Sequence, residues 1–268
     1  MWKNKLAILG AGILALLILT ALFAPLIAPY DPLEQKIIEG LTPPSHAHWF
    51  GQDQLGRDIF SRVIYGSRIS IWVGVATVSL SLAIGMAVGA ISGYYGGFVD
   101  ELFMRIVDIL MAFPGILLAI AMVAVLGPGL NHVILALCLI GWVGYARLVR
   151  GQVLYLRELD YVTAAQAIGA TPARIIVFHL LPNLIAPLIV EATFGMAGAI
   201  LAEASLSFLG LGAQPPTPSW GAILNDGRDY LLFAPHHTTF PGLVMMVVIL
   251  GLNFLGDGLR DYFDVKKS

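Results

Sequence analysis

The chain has 268 residues, of which 58% are hydrophobic and only 12% charged, with a formal net charge of −2. So apolar a composition excludes an ordinary soluble domain and reads as a membrane protein. The scattered basic residues exclude a broad polyanion-reading surface, so no nucleic-acid partner is expected. Cys138, the single cysteine, stands in an apolar run, and neither a disulfide nor a Cys/His metal spacing is available.

Lys3 and Lys5 precede an uncharged run over residues 6–30, long enough in a helix to cross a hydrocarbon core of about 30 Å. The run exceeds a signal-peptide core, and Pro25 and Pro29 occupy the place of a small-residue cleavage site, so it reads as an uncleaved anchor. Residues 31–68 form a polar stretch. Within it Asp53, Arg57, Asp58 and Arg62 have helical spacing, with Ile59, Phe60, Val63 and Ile64 placed to face a membrane surface. This stretch reads either as an interfacial helix or as a dock for another protein.

A second uncharged run covers residues 69–99, with Gly93, Gly96 and Gly97 predicting a helix end near Ser92. Residues 109–146 carry no charge, and the Gly127-Pro128-Gly129 break divides them into a helical hairpin, spans three and four. A fifth span is expected over about 184–202 and a sixth over about 240–255. The polar residues 205–239 between them read as a long loop or an outer lid. Short cytoplasmic loops hold the excess of lysine and arginine. With both termini inside, ten basic residues fall on that side (Lys3, Lys5, Arg105, Arg147, Arg150, Arg157, Arg174, Arg260, Lys266, Lys267) against five outside (Lys36, Arg57, Arg62, Arg68, Arg228).

The segment between spans four and five is then cytoplasmic, and its chemistry is that of a joint. Asp160 is placed to cap a short helix over residues 161–168, Gly169 to stop it in a left-handed conformation, and Thr171-Pro172 to start a second helix as N-cap and first position. Ala164, Ala165 and Ala167 give a small-faced surface that a partner's groove could approach. An ordinary surface connection between helices reads equally well from these residues alone.

The segment resembles the coupling loop of permease subunits in ATP-binding-cassette (ABC) importers, whose pattern is Glu-Ala-Ala, three residues, Gly, nine residues, Ile-x-Leu-Pro. Here it reads Thr163-Ala164-Ala165, Gly169 and His179-Leu180-Leu181-Pro182 with the spacing intact; Thr163 replaces the glutamate and His179 the isoleucine. The likeness extends through "FGQDQLGRDIFSRVIYGSR" (50–68), "GYYGGFVDELFMRIVDILMAFPG" (93–115), "GYARLVRGQVL" (144–154), "EASLSFLGLGAQPPTPSWG" (203–221) and "NFLGDGLRDYFD" (253–264). It narrows to the peptide/nickel group, and within that to the shorter of the two permease subunits.

That resemblance implies an all-α, six-helix type I ABC importer permease in a bacterial or archaeal cell membrane, the inner one in a Gram-negative cell. Residues 1–68 would be an anchor and outer segment, 69–258 the transmembrane domain with the coupling loop at 151–182, and 259–268 a cytoplasmic tail. The partners implied are a second permease, two ABC ATPase subunits, an extracytoplasmic solute-binding protein and membrane lipid. Thr163, Ala164, Ala165, Gly169, Thr171, Pro172, Arg174 and Pro182 would meet the ATPases. No Gly-x-x-x-x-Gly-Lys-Ser/Thr is present, so ATP and magnesium belong to those partners and the chain itself has no cofactor. His-Glu-x-x-His and Gly-x-Ser-x-Gly are also missing, and no catalytic role is expected.

Asp108, Glu191 and Glu203 lie in or beside apolar segments, where a charge faces a pore, a cavity or a partner. His46, His48, His236 and His237 form two close pairs that read as surface histidines rather than metal ligands. Small peptides are the expected cargo, with nickel or glutathione as alternatives. An ion-coupled secondary transporter, the rival from another class, would need internal repeats that the two halves do not show.

Overall fold

The computed structural model describes residues 5–264, with the side chain of Asp264 outside that description; Lys3, Lys266 and Lys267 also lie outside it. Among the described residues the chain is nearly all helix and has no strand. Among the described residues five helices are long and apolar enough to cross a membrane, and a sixth crossing is counted if one sharply bent pair is a single span.

Helix α1 (Lys5–Leu22) is followed by a turn of helix, α2 (Ala24–Ile27), with Pro25 in its first turn. Proline fits there because the missing N–H would have no intrahelical partner. The outer segment then runs as loop to Asp58, whose carboxylate accepts from the Ser61 N–H at 2.7 Å and so caps α3 (Ile59–Tyr95). Thus the helix expected over residues 50–58 is instead a folded loop. Ile59 and Val63 are buried with Leu17, Ile200, Ile223 and Leu252 rather than turned to the membrane.

Helix α3 ends at Tyr95, three residues beyond the glycine-based expectation, where Gly96 adopts a positive φ. Its longest packing partner is α6 (Leu130–Leu156). The approach is close because Gly85, Gly89 and Gly93 repeat at intervals of four. A Cβ on Gly89 would stand 2.4 Å from the Ala146 carbonyl oxygen, and one on Gly85 would stand 2.5 Å from the Tyr145 Cβ. Small residues at such spacing let two membrane helices pack backbone to backbone, which compensates for the weak hydrophobic drive between helices in lipid.

The third span departs most from expectation. Helix α4 (Gly97–Met111) meets α5 (Gly115–Leu126) at 86° across Pro114. Helix α5 alone is 12 residues, about 18 Å long, too short to cross a core of about 30 Å. The predicted hairpin through Gly127-Pro128-Gly129 does form, between α5 and α6. Because α4 carries Asp100, Glu101, Arg105 and Asp108 beside its apolar residues, charge counting alone does not reveal it as a helix.

Past the connecting segment, α7 (Asp160–Ala167) and α8 (Pro172–Ile175) lead through a π turn at Ile176–Leu180 into α9 (Leu181–Phe208). The helix passes through Pro182. The Leu181 N–H reaches back to the Ile176 carbonyl, and this wider turn takes up the hydrogen bond and volume that proline disturbs. Residues 209–235 hold α10 (Trp220–Gly227), and α11 (His236–Asp264) packs on α1 and α9.

Candidate functional site

The elbow between α6 and α9 is built as a capped joint. Leu159, not Asp160, is the N-cap of α7, and Asp160 stands in the first turn, where a carboxylate favours the helix dipole. At the other end the Gly169 N–H donates to the Gln166 carbonyl at 2.9 Å and the Ala170 N–H to the Ala165 carbonyl at 3.0 Å, with Gly169 at φ +85°. This is a Schellman cap, which asks for glycine at its left-handed position. Thr171 then caps α8, its hydroxyl accepting from the Arg174 N–H at 3.4 Å, with Pro172 first in that helix.

The elbow has two unlike faces. Val162 and Ala165 turn inward and join one apolar cluster with Val149, Val153, Ile175 and Leu184. Outward lie Thr163, Ala164, Thr171, Pro172, Arg174 and Ile168, the last 87% exposed. Of the three alanines expected on the docking face, Ala164 and Ala167 are outside and Ala165 is an anchor. Helical periodicity separates 165 from its neighbours by about 100° per residue, so all three cannot share a face. Pro182 is also exposed, about two turns further on. Around the π turn the Asn183 side-chain amide donates to the His179 carbonyl at 2.7 Å, satisfying a backbone acceptor there.

Below the elbow, Arg150 of α6 grips Asp100 of α4 through two bonds of 2.5 and 2.6 Å, and Ser92 of α3 donates to the same carboxylate. Arg157 donates to the Gly93 carbonyl at 2.9 Å, near the end of α3. Bidentate arginine–carboxylate pairs fix orientation as well as distance. These bonds tie α6 to α3 and α4, and the apolar cluster ties the elbow to α6 and α9.

The intramembrane carboxylates separate. Glu191 is exposed and lines a cavity of about 300 Å³ between α3, α6 and α9. Asp108 is exposed on α4 and does not line that cavity. Glu203 faces neither pore nor partner: it is fully enclosed, accepting from the Ser207 hydroxyl at 2.6 Å, and it braces the turn that carries α10 against α9. The histidines also differ from the surface pairs expected. His48 meets Asp58 at 2.8 Å, while His237 is buried and shares a neighbourhood with Asp53, Arg62 and Asp226. Among the described residues no group of three or more His, Cys, Asp and Glu is placed to hold a metal.

The outer charges assemble in a way that their spacing along the chain does not reveal. Asp53 is completely buried, with Arg57 at 2.6 Å and Arg62 on the same carboxylate oxygen, and both arginines reach Asp226 at 3.0 and 3.3 Å, across 164 or more residues of chain. Burial pushes the Asp53 carboxyl up, but Arg62 and Arg57 together outweigh it and hold the group below its ordinary value of 3.8. Trp220 completes the outer layer, its indole N–H donating to the Val63 carbonyl at 2.9 Å.

Residues 85–268 match the family described as the binding-protein-dependent transport system inner membrane component. The chain belongs to that family. Residues 1–44 of this permease also match the N-terminal transmembrane domain of oligopeptide transport permease C. The dipeptide transport system permease protein DppC of Alkalihalophilus pseudofirmus is 49% identical over 264 residues, covering 98% of this chain and 87% of that relative. The glutathione transport system permease protein GsiD of Escherichia coli is 48% identical over 265 residues, covering 98% and 88%. The fold is that of the inward-facing MetNI methionine ABC transporter, with a TM-score of 0.61 at 21% identity over 76% of this permease and 97% of that chain.

Proposed function

We propose that the permease forms half of the translocation pore of an ATP-driven importer of small peptides, and that the elbow at residues 160–177 couples that pore to partner ATPases. The two-faced elbow carries this reading: an exposed outer side suited to a partner's cleft, and an inner side locked into the cluster that α6 and α9 share. A coupling element shifts a pore equilibrium only if its partner binds the two states differently, and a rigidly anchored elbow makes that difference felt in the spans. Thr163, Ala164, Gly169, Thr171, Pro172, Arg174 and Pro182 meet the ATPase in this reading, and Ala165 supports them from inside. Thr163 contributes a hydroxyl where the common pattern places a carboxylate.

The assembly comprises this chain, a second permease, two ATPases that bind ATP and magnesium, and an extracytoplasmic solute-binding protein. The permease itself performs no catalysis and holds no cofactor. Both termini lie in the cytoplasm of a bacterial or archaeal cell, in the inner membrane if it is Gram-negative. Residues 1–68 anchor and cover the outside, 69–258 form the transmembrane domain and 259–268 the tail. Small peptides are favoured by the likeness to the dipeptide permease, and glutathione, itself a peptide, by the other relative. A nickel path gains no support from the placement of the histidines. The family match sets the secondary transporter aside.

The test is ATPase activity of the reconstituted assembly with and without a binding protein loaded with a dipeptide. Stimulation by the loaded protein is expected. Failure of the chain to assemble with any ATPase would overturn the coupling role, and stimulation by a glutathione-loaded protein alone would reassign the cargo.

A further inference from the structure

The outer side of the elbow has a chemistry as well as a shape. Between Asp160 and Arg174 no residue is charged. Positions 161, 164 and 168 stand three and four apart, so they share one flank of α7, and they hold Tyr161, Ala164 and Ile168. The Ile168 N–H donates to the Ala164 carbonyl at 3.2 Å, which carries the helical spiral on to that residue. Tyr161 is tied down, its hydroxyl donating to the His179 carbonyl at 3.4 Å. Ile168 is 87% exposed, and Ala164, Ala167 and Gly169, its neighbours on the spiral, are too small to cover it.

A single exposed aliphatic side chain is ordinary on a protein surface. This one stands at the apex of a joint, directly before the left-handed Gly169 of the Schellman cap, with the Ala164 hollow between it and Tyr161. The joint is closed by its own hydrogen bonds and anchored from inside by Val162 and Ala165. A knob presented on so fixed a backbone loses little freedom when a partner receives it.

We propose that Ile168 is the anchor of the elbow, and that the partner ATPase receives it in an uncharged, apolar pocket. This rests on the coupling reading above, and it deepens that reading by naming the chemistry of the partner's cleft: burial of an aliphatic side chain rather than ion pairing. Asp160 and Arg174 lie at the two ends of the charge-free stretch, at the rim of such a contact, where charges steer an encounter more than they hold it. The bilayer is the other apolar medium beside the elbow. Helices that lie in a membrane surface turn lysine and arginine to the headgroups, and residues 161–173 contain neither. The observations therefore favour a protein pocket.

The experiment uses the full chain with its second permease in nanodiscs, titrated with the ATPase subunits, and reads their affinity together with the melting temperature of the permease pair alone. Ile168→Ala should weaken ATPase binding about tenfold or more, the scale of truncating a buried aliphatic side chain. Ile168→Leu, which keeps the volume, should stay within about threefold of wild type. Ile168→Asn, of similar reach but polar, should bind no better than Ile168→Ala, because an apolar pocket leaves its amide without water. The factor lost in Ile168→Ala should be the same at low and high salt to within about twofold. The melting temperature of the pair should not move, since so exposed a side chain supports no packing. Ile168→Ala with wild-type affinity would overturn the proposal, as would a loss confined to low salt or an Ile168→Asn variant that binds like wild type. A spin label on Ile168→Cys, in a Cys138→Ala background and without ATPases, should be relaxed by a water-soluble reagent; relaxation only by lipid-dissolved oxygen would place the residue in the bilayer and sink the pocket. Failure of the coupling reading is distinct: the wild-type pair would then bind no ATPase at any salt.

Discussion

Gly169 is the position where sequence, geometry and proposed coupling meet, and a graded substitution series tests all three. Its φ of +85° lies in the left-handed region, yet a Cβ added there would meet no atom within 4 Å. Steric collision with neighbours is therefore negligible and the penalty is the backbone's own. That is about 1–2 kcal/mol for an ordinary residue and about 2–3 kcal/mol for a β-branched one, which fits this region worst. Asparagine, tolerant of the conformation, should lose least. If the strain is relieved by opening the cap, the elbow's competent population falls about tenfold per 1.4 kcal/mol. Stimulated ATPase and uptake in proteoliposomes should then decline in the order Gly, Asn, Ala, Val, with Gly169→Val reduced tenfold or more. Gly12→Ala is the control, since that helical glycine also has an open surround but carries no left-handed strain. Global stability should change little, because the inner anchors Val162 and Ala165 are untouched. Wild-type coupling in Gly169→Val would refute the elbow assignment; a parallel collapse in thermal stability would show that the joint holds the fold rather than transmits motion.

Other sites give sharper structural outcomes. Gly89→Leu drives a side chain into the Ala146 carbonyl and the Val149 Cβ, 2.4 and 2.8 Å from where its Cβ must stand. Overpacking of this kind costs about 1–3 kcal/mol or more, and we expect a lower melting temperature and loss of monodisperse protein on size-exclusion chromatography. Asp53→Asn leaves Arg57 and Arg62 buried with only the half-exposed Asp226 to share, and should destabilise the outer layer by about 3 kcal/mol, measured by thermal unfolding in detergent. The same carboxylate predicts an acid limb. Since its folded-state pKa is depressed, its contribution is complete above the ordinary value and is lost as pH falls through the lower folded value. Melting temperature should therefore drop at the acid end of a series from about pH 7 to pH 3, and the part of that drop due to Asp53 should vanish in Asp53→Asn.

Much of the fold was legible because lipid imposes a simple rule: a spanning segment must be helical and nearly free of charge. Uncharged runs accordingly located α1, α3, α6 and α11, a run with Glu191 as its one charge located α9, and the Gly-Pro-Gly break located the α5–α6 turn. The same rule hid α4. A helix need not be uniformly apolar when it carries charges that pair with a neighbour, and Asp100 finds Arg150 only after α3, α4 and α6 have packed. Pro182 likewise gives no sign that α8 and α9 are continuous, since the π turn ending at Leu180 that joins them is not visible in the sequence.

At the elbow, local chemistry sufficed where local chemistry decides: the Schellman glycine and the Thr-Pro helix start are read from adjacent residues, because each cap is closed by hydrogen bonds within a few positions. The faces of α7 are set by what packs beneath it: Val162 and Ala165 join the cluster formed with α6 and α9, contacts that the sequence of α7 alone does not show. Charge partners are less local still. Arg57 and Asp226 lie 169 positions apart, and Glu191 and Glu203 differ by twelve residues on one helix, yet one faces an open cavity and the other is sealed beneath Ser207. Both are carboxylates in apolar sequence, so composition assigns them the same meaning. What separates them is the neighbour: the turn after α9 folds back over Glu203, whereas glycines on α6 and α9 hold space open before Glu191. An intramembrane carboxylate is thus sealed in or left open to a cavity according to which backbone closes over it, and that is decided by helices that meet only in the folded chain.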